Sequence, residues 1–264
     1  MNTEQFASEL PLSSGCSVVK TDECGLIAID KKAGRATHPN PHPSPNAKPA
    51  MLRARYNFSG EYYSWETEDG QKRRLYLINR LDSPTSGIVL AADNERTAQL
   101  ARAEFKNKTA QKTYMAICVG RMFGEGKWTD KLRPQRGAGF VRTSADSNGM
   151  PARTGYAVER QDLNGLGVSL VRLTPLTGLT HQLRVQCAMH RFPILGDATY
   201  GNFAFNKKFR AVSKINRLFL HCLKTRLELE IDGKKVEFEA ECPLPESFTK
   251  TVDYNGEISK NLKF

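Results

Sequence analysis

Leu75-Tyr76-Leu77-Ile78-Asn79-Arg80-Leu81-Asp82-Ser83-Pro84-Thr85-Ser86-Gly87-Ile88-Val89-Leu90-Ala91-Ala92 is two apolar runs joined by a short polar turn. Short apolar runs bounded by Ser, Pro, Thr and Gly read as strands around a turn. A strand–turn–strand context holds Asp82 rigidly at the edge of a sheet, as a nucleophile or general base requires. An Asp in a turn more often only accepts nearby backbone N–H groups, and locally that plainer role is favoured.

Outward from this stretch, strands outnumber helices and often follow one another directly. Ser17-Val18-Val19-Lys20, a turn at Asp22-Glu23-Cys24-Gly25, and Leu26-Ile27-Ala28-Ile29 form a hairpin pattern. Pro39, Pro41, Pro43, Pro45 and Pro49 make residues 35–50 an extended loop, since no regular element survives that proline density. Asp93 to Lys108 reads as a helix capped by Asp93, with Ala98, Ala101 and Phe105 on one face. Gln111 to Gly120 reads as a strand, and residues 121–152, rich in glycine and proline, as mostly loop. Arg153–Arg160 and Gly167–Thr174 read as strands, and Thr180–Arg191 as a helix with Thr180 as N-cap. Leu227-Glu228-Leu229-Glu230-Ile231, Asp232-Gly233 and Val236-Glu237-Phe238-Glu239-Ala240 read as a tight hairpin with one buried and one wet face. The tail from Glu246 is polar. These signals predict an α+β protein with a mostly antiparallel central sheet flanked by helices and loops, and an active-site cleft across the sheet. The expected organisation is an N-terminal extension over 1–16, one catalytic domain over 17–245 and a C-terminal tail over 246–264.

The chain has 264 residues, 39 Lys plus Arg against 28 Asp plus Glu, and a formal net charge of +11. That excess favours a polyanionic partner, of which nucleic acid is the commonest, although a basic protein that is merely soluble has the same charge. No two of the 6 cysteines form a Cys-x-x-Cys pair, and the 5 histidines lack zinc-ligand spacing, so reduced thiols and no metal centre are expected. Neither a secretory leader nor a membrane-spanning run is evident, which predicts a soluble cytoplasmic protein. Glycine-rich phosphate loops are absent, so nucleotide cofactors lose support.

Three further stretches could carry chemistry. Lys112-Thr113-Tyr114-Met115-Ala116 places Tyr114 on a strand, where it either packs or offers a face on which a base can stack. Thr177-Gly178-Leu179-Thr180-His181-Gln182-Leu183-Arg184-Val185 combines a turn with a helix start. His181 and Arg184 there share a face, suited to an anion or simply exposed, and Leu183 shares an apolar face with Cys187. Pro193-Ile194-Leu195-Gly196-Asp197-Ala198-Thr199-Tyr200-Gly201 frames Asp197 between glycines and alone is only a turn.

Taken together, these stretches resemble the RluA-type family of RNA pseudouridine synthases. Arg80 to Gly87 match the family's Arg-Leu-Asp-x-x-Thr-Ser-Gly motif, Lys112 and Tyr114 its Lys-x-Tyr strand, Thr177 to Val185 its Thr-Gly-x-Thr-His-Gln motif, and Pro193 to Gly201 its Pro-Ile-x-Gly-Asp motif. Ala152-Arg153-Thr154 with Tyr156, and Leu220-His221, also fall where the family has similar residues, so the likeness runs from about Ser17 to Pro245. The departures are Asn79 where the family usually has His, Leu179 for Arg, Gln186 for His, and Lys31-Lys32-Ala33-Gly34 for the early Lys-Pro-x-Gly signature. The small N-terminal RNA-binding domain that many relatives carry is not expected within the 16 leading residues.

The resemblance implies the pseudouridine synthase fold and isomerisation of uridine in ribosomal or transfer RNA without cofactor, and a monomer is the default expectation. It implies Asp82 as catalytic carboxylate, Arg184 as its partner, Tyr114 as the ring stacked on uracil, and Leu183 as a pocket wall. Arg80, Thr85 and His181 are implied substrate contacts, with Arg80 a residue that could enter the space left by a flipped base. Arg133, Arg136 and Arg142, and further on Lys207, Lys208 and Arg210, are candidate phosphate contacts, although each taken singly reads more readily as solvated surface. Rival classes are a catalytically silent RNA-binding protein on the same scaffold and a nucleosidase-like hydrolase. The hydrolase lacks an evident second acid.

Overall fold

In chain order the elements are α1 (Thr3–Ser8), β1 (Ser17–Thr21), β2 (Leu26–Lys31), β3 (Arg55–Asn57), β4 (Tyr62–Glu66), β5 (Lys72–Leu77), β6 (Ser86–Ala92) and α2 (Glu95–Asn107). There follow β7 (Gln111–Val119), β8 (Glu125–Gly137), β9 (Phe140–Ala145), β10 (Met150–Gln161), β11 (Val168–Pro175), α3 (Gln182–Met189) and α4 (Phe203–Ser213). The last are β12 (Leu220–Ile231), β13 (Lys234–Glu241) and α5 (Glu246–Val252). These come from a computed structural model that describes residues 2–41, 47–137, 140–162 and 165–253, with the side chains of 136–141 outside the description. The chain forms two compact units, one of residues 1–111 with 222–242 and one of residues 112–221 with 243–264. Both are antiparallel strand assemblies with a few short helices, the expected α+β class.

In the first unit β2 pairs antiparallel with β1 and β6, β3 with β4, β4 with β5, and β5 with the end of β6. Every residue of β6 is buried, and β2 is buried at all but Asp30. A strand covered on both faces reads as a continuous apolar run, which is why Ile88-Val89-Leu90-Ala91-Ala92 shows no alternation. The hairpin of β12 and β13 turns at Asp232 and Gly233, both at positive φ (52° and 73°), the conformation a two-residue loop needs to match strand twist. Helix α2 buries Thr97, Ala98 and Ala101. Its cap is Asn94, whose side chain accepts from the Thr97 N–H, and not Asp93. Asp93 is engaged one step earlier, where its N–H donates to the Gly25 carbonyl and its carboxylate accepts from Asn94.

In the second unit β11 pairs with β7 and β10, β10 with β8, and β8 with β9, all antiparallel. Here residues 121–152 correct the sequence reading, because most of the expected loop is the long ribbon of β8, β9 and the start of β10. A narrow ribbon satisfies its backbone by its own ladder and buries only Trp128, Leu132, Thr143 and Ala152 among its described side chains, so its sequence carries little apolar pattern. Two smaller corrections follow. Helix α3 begins at Gln182 after His181 in left-handed conformation (φ 57°), so Thr180 is not its cap. The polar tail contains α5, which buries Phe248, Thr251 and Val252 and sets Phe248 edge-on to Phe219 at 5.3 Å. All six cysteines are free thiols.

Candidate active site

The Asp82 turn is built from the inside of the first unit. The Thr85 N–H donates to the Asp82 carbonyl at 3.0 Å, closing the turn. Beneath it Lys31, fully buried at the end of β2, donates from Nζ to the carbonyls of Thr85 (2.6 Å), Arg35 (2.7 Å), Ser83 (3.3 Å) and Lys32 (3.4 Å). The Gly34 N–H adds a bond to the Ser83 carbonyl at 2.8 Å. A buried ammonium is tolerable only when its protons meet acceptors, and here the acceptors are main-chain oxygens of Ser83 and Thr85, just after Asp82, and of Lys32 and Arg35 in the lysine's own loop. Lys31-Lys32-Ala33-Gly34, legible in sequence only as a departure from the Lys-Pro-x-Gly signature, is therefore the cradle of the turn.

The residue before Asp82 is pinned as well. Thr37 Oγ1 donates to the Leu81 carbonyl at 2.9 Å and accepts from the Leu81 N–H at 3.1 Å. The Thr37 carbonyl takes the hydroxyl proton of fully buried Tyr63 at 2.7 Å, a phenol that burial pushes far above its ordinary pKa. Asn79 Oδ1 accepts from the Leu90 N–H at 2.8 Å, so this departure from the family pattern continues the ladder to β6 through a side chain. At Gly87 (φ 109°) a Cβ would lie 2.2 Å from the Cys222 carbonyl oxygen, so only glycine lets β6 approach β12 there. Asp82 itself is half-buried and Arg80 is exposed, with Arg80 Nη1 3.3 Å from His38 Nε2. Thr85 is only 2% exposed, so it holds the turn from within.

In the second unit two of the sequence motifs lock together. Arg184, near the start of α3, donates from Nε and Nη2 to the two carboxylate oxygens of Asp197, both at 2.8 Å. Both side chains are buried, at 6% and 0% exposure. Burial alone would raise the Asp197 pKa, but the Arg184 guanidinium and the Tyr200 and Thr199 N–H groups outweigh it and hold the carboxyl below its usual range. Tyr200 lies under the same guanidinium at 5.2 Å. Its hydroxyl meets His181 Nδ1 at 2.9 Å and accepts from the Thr143 N–H at 2.8 Å. Gln182 accepts from Thr177 Oγ1 and the Leu179 N–H and donates to the Arg153 carbonyl and Thr154 Oγ1, which fixes the Thr177–Thr180 turn. Gln186 donates to Asp130 and accepts from Thr154 Oγ1, so a carboxamide fills the position where a histidine is usual.

The expected partner of Arg184 was Asp82. Asp197 takes two of its N–H groups, and sequence reasoning missed this role because Asp197 read as a turn residue. Its signal was the Gly196-Asp197 pair itself, since a Cβ on Gly196 would fall 1.8 Å from the Arg217 carbonyl oxygen and the loop must be that tight. Leu183 is buried. Tyr114 is half-exposed on β7, opposite Leu173 of β11. Arg133 ion-pairs with Asp146 at 2.9 Å, and the ladder pairs Gln135 with Arg142 and Arg133 with Ser144, so Arg133 and Arg142 share one face of the ribbon. The side chain of Arg136 lies outside the described residues. Among the described residues no cluster of three His, Cys, Asp or Glu could hold a metal ion, and no helix is long and apolar enough to cross a membrane.

Residues 25–189 match the model of the RNA pseudouridylate synthase family. The chain belongs to this family. It is 32% identical over 83% of its length to the ribosomal large subunit pseudouridine synthase C of Haemophilus influenzae and 33% identical over 83% to that of Rickettsia conorii. It spans 63% and 65% of the length of these two relatives. Among solved structures it is similar to human RNA pseudouridylate synthase domain containing 1, with a TM-score of 0.63, 25% identity, and coverage of 90% of this chain and 86% of that one. Human RNA pseudouridylate synthase domain containing 4, at 22% identity and a TM-score of 0.59, shares the fold over 89% of this chain and 91% of its own.

Proposed function

We propose that this chain isomerises uridine to pseudouridine in RNA, with large-subunit ribosomal RNA the substrate its relatives' names favour over transfer RNA. Family membership carries the reading, and the built turn around Asp82 supports it, because five bonds that join Lys31, Gly34 and Thr37 to Leu81, Ser83 and Thr85 hold the main chain on either side of one half-buried carboxylate. The reaction breaks the bond from ribose C1′ to uracil N1, turns the base, forms the bond from C1′ to C5, releases the C5 proton to solvent and leaves N1 to take up a proton in its place. Atoms balance without oxidant, reductant or net water, so the reaction calls for no cofactor.

In this reading residues 17–245 act as the catalytic domain and Asp82 is the carboxylate that opens the reaction. Arg184 is the cation that steadies it, and its own geometry is held by Asp197. Tyr114 stacks on the uracil and takes the C5 proton, and Leu183 walls the base. Arg80, with Thr85 holding the turn, serves the flipped nucleotide, and His181 is a further substrate contact. Arg133, Arg136 and Arg142 contact phosphates, and the protein acts as a cytoplasmic monomer. The assay is tritium release from C5-labelled uridine in RNA. Asp82→Asn should abolish release while RNA binding survives, and full activity in that variant would remove Asp82 from the chemistry. Free uracil among the products would instead point to a hydrolase.

A further inference from the structure

Beside the Asp82 turn the first unit carries an aromatic corner that the reaction does not use. The His38 and Tyr56 rings stack with centroids 5.2 Å apart and planes 13° from parallel. Phe58 stands at right angles to both, at 5.9 Å and 86° from His38 and 5.0 Å and 85° from Tyr56. Tyr56 rests in turn on buried Tyr63 at 4.9 Å. Phe58 is 47% exposed, an unusual position for a ring that has two aromatic neighbours within reach. The turn that presents it is held by Asn57 Oδ1, which accepts from Ser59 Oγ and the Gly60 N–H.

Both ring nitrogens of His38 are engaged. The His38 tautomer that donates from Nδ1 to the Pro39 carbonyl at 2.8 Å leaves Nε2 to accept from Arg80 Nη1 at 3.3 Å. Arg80 is thereby fixed against the ring stack, two residues before Asp82. Tyr63 links the same stack to Thr37, and Thr37 grips Leu81. Exposed Arg53 and Arg55 flank the corner in sequence, and half-buried Glu61 is the acid near Tyr56. Burial, with Glu61 adding to it and Arg80 opposing it, pushes the Tyr56 phenol up to about 12, so the ring stays neutral.

We propose that Phe58, backed by the stacked His38–Tyr56 pair and by Arg80, is a stacking platform for an RNA base flanking the target uridine. The argument is chemical. A preformed aromatic face beside a fixed guanidinium suits an unstacked base next to its phosphate, and stacking on aromatic side chains tolerates any base. The chain's net charge of +11 complements a polyanion and opposes a second copy of itself. This inference rests on the proposed reaction for the identity of the RNA.

The test compares wild type, Phe58→Ala and Phe58→Trp for binding of a fluorescein-labelled single-stranded RNA carrying one uridine, followed by anisotropy at several salt concentrations. Loss of one stacked base should weaken binding roughly 5- to 160-fold in Phe58→Ala. The dependence of log Kd on log salt should keep its slope, since no phosphate contact is lost, and Phe58→Trp should bind within about twofold of wild type. In turnover assays KM should rise by more than kcat falls. Binding by Phe58→Ala within twofold of wild type, with its folding verified by thermal melting, would overturn the proposal. So would a wild-type dimer that the substitution abolishes without changing RNA affinity. Wild type that binds RNA through Phe58 yet forms no pseudouridine would refute the proposed reaction and leave this surface standing.

Discussion

Replacing Lys31 by methionine removes one charge from beneath the Asp82 turn while keeping an unbranched chain of similar length. The two short bonds, to Thr85 at 2.6 Å and Arg35 at 2.7 Å, are charge-assisted, and each such bond is worth about 1.5–3 kcal/mol net. Removing the ammonium also leaves the Ser83 and Lys32 carbonyls without this donor. Against that, the buried charge no longer has to be desolvated. The balance is a loss of about 3 kcal/mol, which for a chain of this size lowers Tm by roughly 6–12 °C. Urea titration with an unchanged slope would measure it. Below its melting transition the variant should also release tritium at least ~10-fold more slowly, because a carboxylate whose turn is unsupported is held less precisely. A Lys31→Met protein with Tm within about 2 °C of wild type would show that the carbonyl cage contributes no stability, and a normal rate would show that it does not position Asp82.

Asp197→Asn should flatten the acid limb of the stability curve. Its folded pKa is depressed, so the pair contributes stability above the unfolded value of about 3.9 and loses it as pH falls below that value through the lower folded one, and circular dichroism melts from pH 6 down to about 2 would show a smaller decline in the variant. Gly87→Ala combines a φ of 109° with a Cβ 2.2 Å from the Cys222 carbonyl and should cost at least about 3 kcal/mol, measured by urea unfolding; a stable, well-expressed variant would contradict the close approach of β6 and β12. Ser83→Ala should change stability by less than about 0.5 kcal/mol or raise it, because Ser83 Oγ is buried without a hydrogen-bond partner among the described residues.

Much of this was legible in the sequence, and the unread parts have physical reasons. The Asp82 turn was readable because apolar runs on both sides leave few alternatives to strand–turn–strand. The hairpin at Asp232-Gly233 was readable because alternation of period two and a turn dipeptide agree. The ribbon of β8 and β9 was not, since a strand pair that satisfies itself by ladder bonds and buries few side chains leaves no hydrophobic period to read. The α2 cap was displaced by one residue because Asp93 and Asn94 are both good caps, and only the Gly25 carbonyl, distant in sequence, decides between them. The start of α3 was missed for a similar reason: a histidine in left-handed conformation is not a usual helix entry. At the site, motif residues were found by type, but their partners were not. Lys31, Thr37 and Asp197 act through contacts made across the fold.

The two clasps on α3 have a consequence for exchange between relatives. His181 and Arg184 are three residues apart, and they grip Tyr200 and Asp197, which are also three residues apart. The helix start and the loop thus behave like a two-toothed key in its ward: a slip of one residue in either strand of the match disengages both teeth. Segments Thr177–Val185 and Pro193–Gly201 are therefore one heritable part, and a chimaera that imports either without the other inherits a joint that does not close.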